Sequence, residues 1–160
     1  MLLYNNKFHT GVRPGAKAVK EGEMDIGERV VSAWNHGDVD GVVALYAEDA
    51  VYQHPMVPGG LHGRDAIREF VLGMTSAFSD IGEKVTSSIS SGDEAAVEIL
   101  HSAIQSGELQ TPAGPVPATN KRVELNAAHF YRLNADGLIA EERMYANPME
   151  MMAQLGVGPG

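Results

Sequence analysis

The chain has 160 residues, 44% of them hydrophobic and 21% charged, which is the profile of one soluble globular domain. Its formal charge of −9 comes without any run of Lys or Arg, so the positive field that a phosphate backbone requires is missing and no nucleic-acid partner is expected. Cys is absent, which excludes disulfides, a thiolate nucleophile and Cys-ligated metal centres, and no apolar run approaches a membrane span.

Residues 1–22 hold Gly11, Pro14, Gly15 and Gly22 and show no sustained period, so a flexible arm is expected ahead of a single domain over 23–157. No charged leader precedes an apolar stretch, and a cytoplasmic location is the expectation. Ile26, Val30 and Trp34 recur at helical spacing until Asn35-His36-Gly37. Asp38 caps a second short helix over 39–47, and 50–54 reads as a strand ended by Pro55. After a loop rich in Pro and Gly, a third helix is expected over 64–78, with Ile67, Phe70, Val71 and Met74 on one side.

Beyond Gly82 the period becomes alternating. Strands are predicted over 83–90, 94–106, 122–134 and 138–146, with Gly92-Asp93 and Ala135-Asp136-Gly137 as tight turns. The Pro-rich stretch 107–119 reads as a loop, and Asn147-Pro148 as the start of a last helix carrying Met149, Met152 and Leu155. Helices followed by an antiparallel meander specify an α+β domain, in which helices roof the concave face of a curved sheet and enclose an apolar cavity.

Side chains alternate across a strand, so Val123, Leu125, Ala127, His129 and Tyr131 share one face of the 122–134 strand, and this face is the inner one. On the preceding strand Ile99, His101 and Gln105 are placed inside; Tyr52 and His54 share a face of the first strand. On the last strand Glu142 and Met144 oppose Glu141 and Arg143, and the pattern does not choose between them. Three histidines, His54, His101 and His129, therefore converge on one interior, with Tyr52, Gln105 and Glu142 nearby; Trp34 reads as core, with the cavity mouth as the alternative. A lone inward His is usually a hydrogen-bonded core residue; three on neighbouring strands would each need a buried partner, which favours proton chemistry. The same imidazoles with Glu142 could hold a divalent ion, but no HxH or HExxH spacing supports it, so no metal or cofactor is expected.

Three stretches carry a family resemblance. They are Gly37-Asp38-Val39-Asp40-Gly41 with Leu45-Tyr46-Ala47-Glu48-Asp49-Ala50-Val51, then Gly63-Arg64-Asp65-Ala66-Ile67, and Glu141-Glu142-Arg143-Met144-Tyr145 leading to Gln154-Leu155-Gly156. Together they resemble the nuclear-transport-factor-2-like superfamily, in its SnoaL-like polyketide cyclase and limonene epoxide hydrolase-like branch. The resemblance implies a cone-shaped fold. It puts the single acid/base carboxylate of the cyclases near His129, and the Asp–Arg–Asp set of the epoxide hydrolases at His101, Ile99 and Met144.

The leading expectation is a cofactor-independent isomerase, cyclase or dehydratase. It would act on a small apolar carbonyl compound, with His101 or His129 as base and Tyr52 and His54 as further catalytic candidates. Trp34, Ile99, Gln105, Leu125, Ala127, Glu142 and Met144 would line the cavity. The alternatives are an epoxide hydrolase-like enzyme with a non-standard site, or a non-catalytic ligand-binding or dimerisation module. A homodimer through Leu100, Ala128 and Phe130 on the outer sheet face is also expected.

Overall fold

The computed structural model describes residues 25–158. The arm expected over 1–22 lies outside the described residues. Twelve elements follow in chain order: α1 (Ile26–Asn35), α2 (Val39–Ala44), β1 (Tyr46–Gln53), β2 (Leu61–His62), α3 (Arg64–Ala77), β3 (Phe78–Ser91), β4 (Glu94–Gln105), β5 (Leu109–Thr111), β6 (Gly114–Val116), β7 (Arg122–Leu133), β8 (Ile139–Tyr145) and α4 (Pro148–Leu155). Six strands form a curved sheet in the order β2-β1-β8-β7-β4-β3, and β5 and β6 form a separate small hairpin. The architecture is α+β. No described helix is long and apolar enough to cross a membrane.

Local chemistry explains most of these boundaries. The Asp25 carboxylate caps α1 by accepting from the Glu28 amide at 2.9 Å, and Asp38 caps α2 through Gly41 at 2.8 Å. Asn147 and Pro148 open α4, and Gly156 closes it in the left-handed region at φ 75°. α1 lies close on the sheet because Gly27 carries no side chain: a Cβ there would stand 2.7 Å from Val97 Cγ1. The core beneath the roof joins Val30, Val43, Ile67 and Val71 of the helices to Val97, Ile99, Tyr131 and Ile139 of the sheet.

Four expectations need correction. The second helix stops at Ala44, and Tyr46 already belongs to β1, whose edge pairs parallel with β8. The sheet is therefore mixed rather than a plain antiparallel meander. α3 ends at Ala77, and β3 begins at Phe78 instead of Glu83. The stretch 107–119 is not all loop, since it contains the β5–β6 hairpin. Its base packs tightly: a Cβ on Gly107 would meet the Ser76 carbonyl oxygen at 2.1 Å.

Candidate active site

A cavity of about 150 Å³ lies between the helical roof and the inner sheet face. Its size compares with an engineered apolar cavity of ~150 Å³ that takes up a benzene ring. One end belongs to the roofed core, through Val30, Trp34, Tyr46, Tyr52, Phe70 and Ile99; the other joins a second apolar cluster through Met56, Met74, Phe78 and Met151. No Lys or Arg is among the described residues that line it.

Four ionisable side chains cross the sheet in a row, one from each of β3, β4, β7 and β8. His101 Nδ1 lies 2.9 Å from Glu83 Oε1, its Nε2 lies 3.1 Å from His129 Nε2, and His129 Nδ1 lies 2.7 Å from Glu142 Oε1. Tyr46 closes the row by donating its hydroxyl to Glu142 Oε2. The strand register dictates the row. Glu83 pairs with His101 and Val97 with His129, while His129 pairs with Met144, one residue past Arg143 and two past Glu142. Successive inward side chains thus lean across neighbouring strands within reach of one another.

Both carboxylates are well buried, at 8% and 2% side-chain exposure, and so is His129 at 5%, whereas His101 keeps 23%. His101 is thus the more accessible ring of the pair. Asn35 fixes Glu83 from the roof: its side chain accepts from the Glu83 amide at 2.7 Å and donates to the Glu83 carbonyl at 2.9 Å. Burial, followed by the Glu142 charge, raises Tyr46, Tyr52 and Tyr131 well above the ordinary phenol range, so all three keep their O–H protons. Among the described residues Tyr52 donates only to the Met144 thioether, at 3.5 Å, a weak bond.

His54 stands apart from the row, packed against Tyr52 and Phe70. Its burial, followed by the His129 and His101 charges, lowers it from 6.5 to about 4, so it is neutral at physiological pH. Its Nδ1 accepts from the Met56 amide at 3.2 Å, which leaves the ring proton on Nε2. His54 is therefore a neutral N–H donor.

The structure brings Tyr52, His54, His101 and His129 to one cavity, with Trp34, Ile99, Leu125, Glu142 and Met144 on its walls. It does not bring Gln105 or Ala127 there. Gln105 is fully buried as a staple of the 107–119 segment: its amide donates to Gly107 and Pro117 carbonyls at 2.8 and 3.1 Å and accepts from the Thr119 amide at 2.9 Å. Ala127 sits opposite Ile99 in the core, too short to reach the hollow. Sequence reasoning missed Glu83 and Tyr46. Among the described residues no group of three or more His, Asp or Glu is arranged to hold a metal ion.

Comparison with known proteins agrees with this architecture. The family model described as a SnoaL-like domain matches residues 28–142. AclR, a proposed hydroxylase from Streptomyces galilaeus, is 25% identical and superposes with a TM-score of 0.69 over 84% of this chain and 80% of its own. IdmH, a proposed polyketide cyclase from Streptomyces antibioticus, is 26% identical, with a TM-score of 0.66 over 81% of this chain and 95% of its own. A protein of ketosteroid isomerase-like fold from Catenulispora acidiphila, solved with trimethylamine, shares the fold at 17% identity and a TM-score of 0.69, over 83% of this chain and 93% of its own. The roofed, curved sheet and the match over 28–142 together place the chain in the SnoaL-like domain family, within the nuclear-transport-factor-2-like superfamily.

Proposed function

We propose that this protein is an acid/base enzyme of the cyclase, isomerase or dehydratase type, working without a cofactor on a small neutral carbonyl compound. The observation that carries this reading is a hydrogen-bonded imidazole pair facing an apolar cavity, with no Lys or Arg among the described residues that line it. An anionic substrate would find no counter-charge there and two carboxylates against it, whereas a neutral ketone fits. The Tyr52 hydroxyl or the His54 Nε2–H donates to one lone pair of the carbonyl oxygen, and His101, the more accessible imidazole, moves the proton at the adjacent carbon. The proposed cyclase and hydroxylase assignments of IdmH and AclR support a small organic substrate. Ile99 and Met144 put apolar surface where the epoxide hydrolase-like reading needs charge, which favours enolisation over epoxide opening.

Exchange of α-protons in deuterated water, followed by NMR on a panel of small cyclic and aryl ketones, tests the reading. Wild-type protein should exceed the buffer rate on at least one ketone, and His101→Ala should return that rate to the buffer level. Buffer-level exchange by wild type on every ketone, or unchanged exchange in His101→Ala, would refute it.

We further propose that two copies pair through the outer sheet face. Phe130 and Tyr145 are 38% and 59% exposed there and pack edge to face, with the Arg143 guanidinium 5.7 Å from the Phe130 ring centre. Light scattering should give twice the chain mass, and Phe130→Glu should halve it; a monomeric wild type would sink the pairing.

A further inference from the structure

We propose that Glu83 makes His101 and His129 a single acid that carries one shared proton between its rings in the resting state, so that catalysis opens with protonation of the substrate. The inference follows from counting hydrogens. The row contains three contacts, Glu83 to His101, His101 to His129 and His129 to Glu142, at 2.9, 3.1 and 2.7 Å. Each contact joins two atoms that both carry a lone pair, so each needs one hydrogen. Two neutral imidazoles between two carboxylates supply two hydrogens. Both then sit on the Nδ1 atoms facing the glutamates, and the two Nε2 lone pairs are left pointing at each other. A third hydrogen resolves this. Wherever the outer two reside, one must occupy the Nε2 to Nε2 contact.

Charge supports the same count. With two hydrogens the row would carry two negative charges; with three it carries one, because the shared proton makes one ring an imidazolium flanked by carboxylates. Among the described residues no Lys or Arg stands on the cavity wall, so these residues offer the buried row no other compensation. Among the described residues the remaining titratable groups facing it are Tyr46, Tyr52, Tyr131 and His54; the phenols keep their protons and His54 is neutral, so none of these supplies a positive charge. Glu83 is a positioning residue here. Removing its charge weakens the hold on the third hydrogen without removing either ring, and the Asn35 bracket keeps its backbone in place.

The order of events follows, and this part rests on the function proposed above. The bridging proton passes from Nε2 to a lone pair of the carbonyl oxygen, forming O–H, while the N–H electron pair returns to the ring. The freed Nε2 then removes the proton from the α-carbon, and the C–H electron pair becomes the enol double bond. The row again holds three hydrogens, and no oxidant or reductant is required. The substrate class narrows to neutral compounds with a basic oxygen one carbon away from an acidic C–H.

The test is NMR of wild-type protein labelled with 15N in its histidines, near neutral pH. Expected is one far-downfield proton correlated with Nε2 of both His101 and His129, and protonated-type nitrogen shifts at both Nδ1 positions. Glu83→Gln, whose amide N–H itself supplies the outer hydrogen, should turn the His101 Nδ1 shift to the lone-pair type, leave an ordinary N–H between two neutral rings, and lower kcat for ketone exchange with KM little changed. Two Nε2 nitrogens with lone-pair shifts and no bridging proton in folded wild type would overturn the proposal, whatever the variant does. Ketone exchange persisting without a bridging proton would leave the acid/base reading standing and remove only this inference. A bridging proton in a protein inert to every ketone would refute the functional reading and the order of events, and uphold the proton count.

Discussion

The two walls of the cavity are built on opposite plans. The sheet wall carries Glu83, His101, His129 and Glu142 on four adjacent paired strands, each side chain tied to the next by a hydrogen bond. The opposite end is made of Met56, Met74, Met151, Pro55 and Pro148, which make no such ties and belong to loops and helices. Strands hold proton-carrying groups within the few tenths of an ångström that proton transfer requires, whereas unbranched thioether side chains re-pack around irregular apolar shapes. Under the proposed function the contrast separates chemistry from substrate fit, and each half can be broken without the other.

The largest expected effect comes from breaking the sheet wall. His101→Ala should lower kcat by at least ~100-fold, the range of a lost general acid/base, and leave the thermal unfolding transition cooperative. His129→Ala should cost as much activity and also ~3 kcal/mol of stability, because it strands the Glu142 carboxylate in the core beside Tyr46. Denaturant titration with ketone exchange on the same samples checks both. Equal stability losses in the two variants would mean that the row is a packing device.

Tyrosine deletions sharpen the contrast at a smaller scale. Tyr52→Phe removes a hydroxyl that, among the described residues, is held only by a thioether, so it should cost little stability and about 100-fold in kcat through the lost donor to the carbonyl oxygen. Tyr46→Phe should do the reverse in stability, losing about 1–3 kcal/mol as Glu142 Oε2 loses its buried donor. If both variants behave alike in denaturant, the distinction between a loosely held and a structural hydroxyl fails.

How much of this was legible in the sequence depended on whether the strand period held. On β7 the alternation is unbroken through Val123, Leu125, His129 and Tyr131, and the inward set read from the sequence is the inward set of the structure. On β3 the register shifts between Ser79 and Gly82 and again between Val85 and Ser87, so inward positions change parity twice. Asp80, with φ 50°, marks the first shift. A Glu at the head of a Ser-rich, irregular strand looks like a solvated edge, and Glu83 was invisible for that reason. Tyr46 was hidden differently: Val42, Val43, Leu45 and Tyr46 continue a helical stripe, yet the chain leaves the helix at Leu45 to pair with β8. Gln105 misled because strand parity says where a side chain starts and not which loop carbonyls a long amide can reach.

A pH experiment isolates His54 from the row. In the folded chain its value is about 4 and in the unfolded chain it reverts towards 6.5. Between these values the unfolded chain takes up a proton that the folded chain refuses, so stability is full above the upper value and falls as pH drops towards the lower one. Allowing for partial exposure, the loss is on the order of 2 kcal/mol. His54→Asn keeps an acceptor for the Met56 amide but cannot titrate. Its unfolding free energy should therefore fall less than that of wild type over this window, and identical slopes would show that His54 is protonated in the folded state.

The smallest effect belongs to the adaptable wall. Met74→Leu preserves volume and apolarity, so stability should change by less than ~1.5 kcal/mol. What it removes is freedom of shape, since Leu has a branch and fewer rotatable bonds than the thioether it replaces. The expected signature is a few-fold change in KM whose sign depends on the ketone, with kcat for each ketone nearly unchanged. Parallel changes in kcat would mean that this wall orients the reacting bond as well. The division of labour between strand-borne proton groups and methionine-lined fit would then have to be given up in favour of one cooperative site.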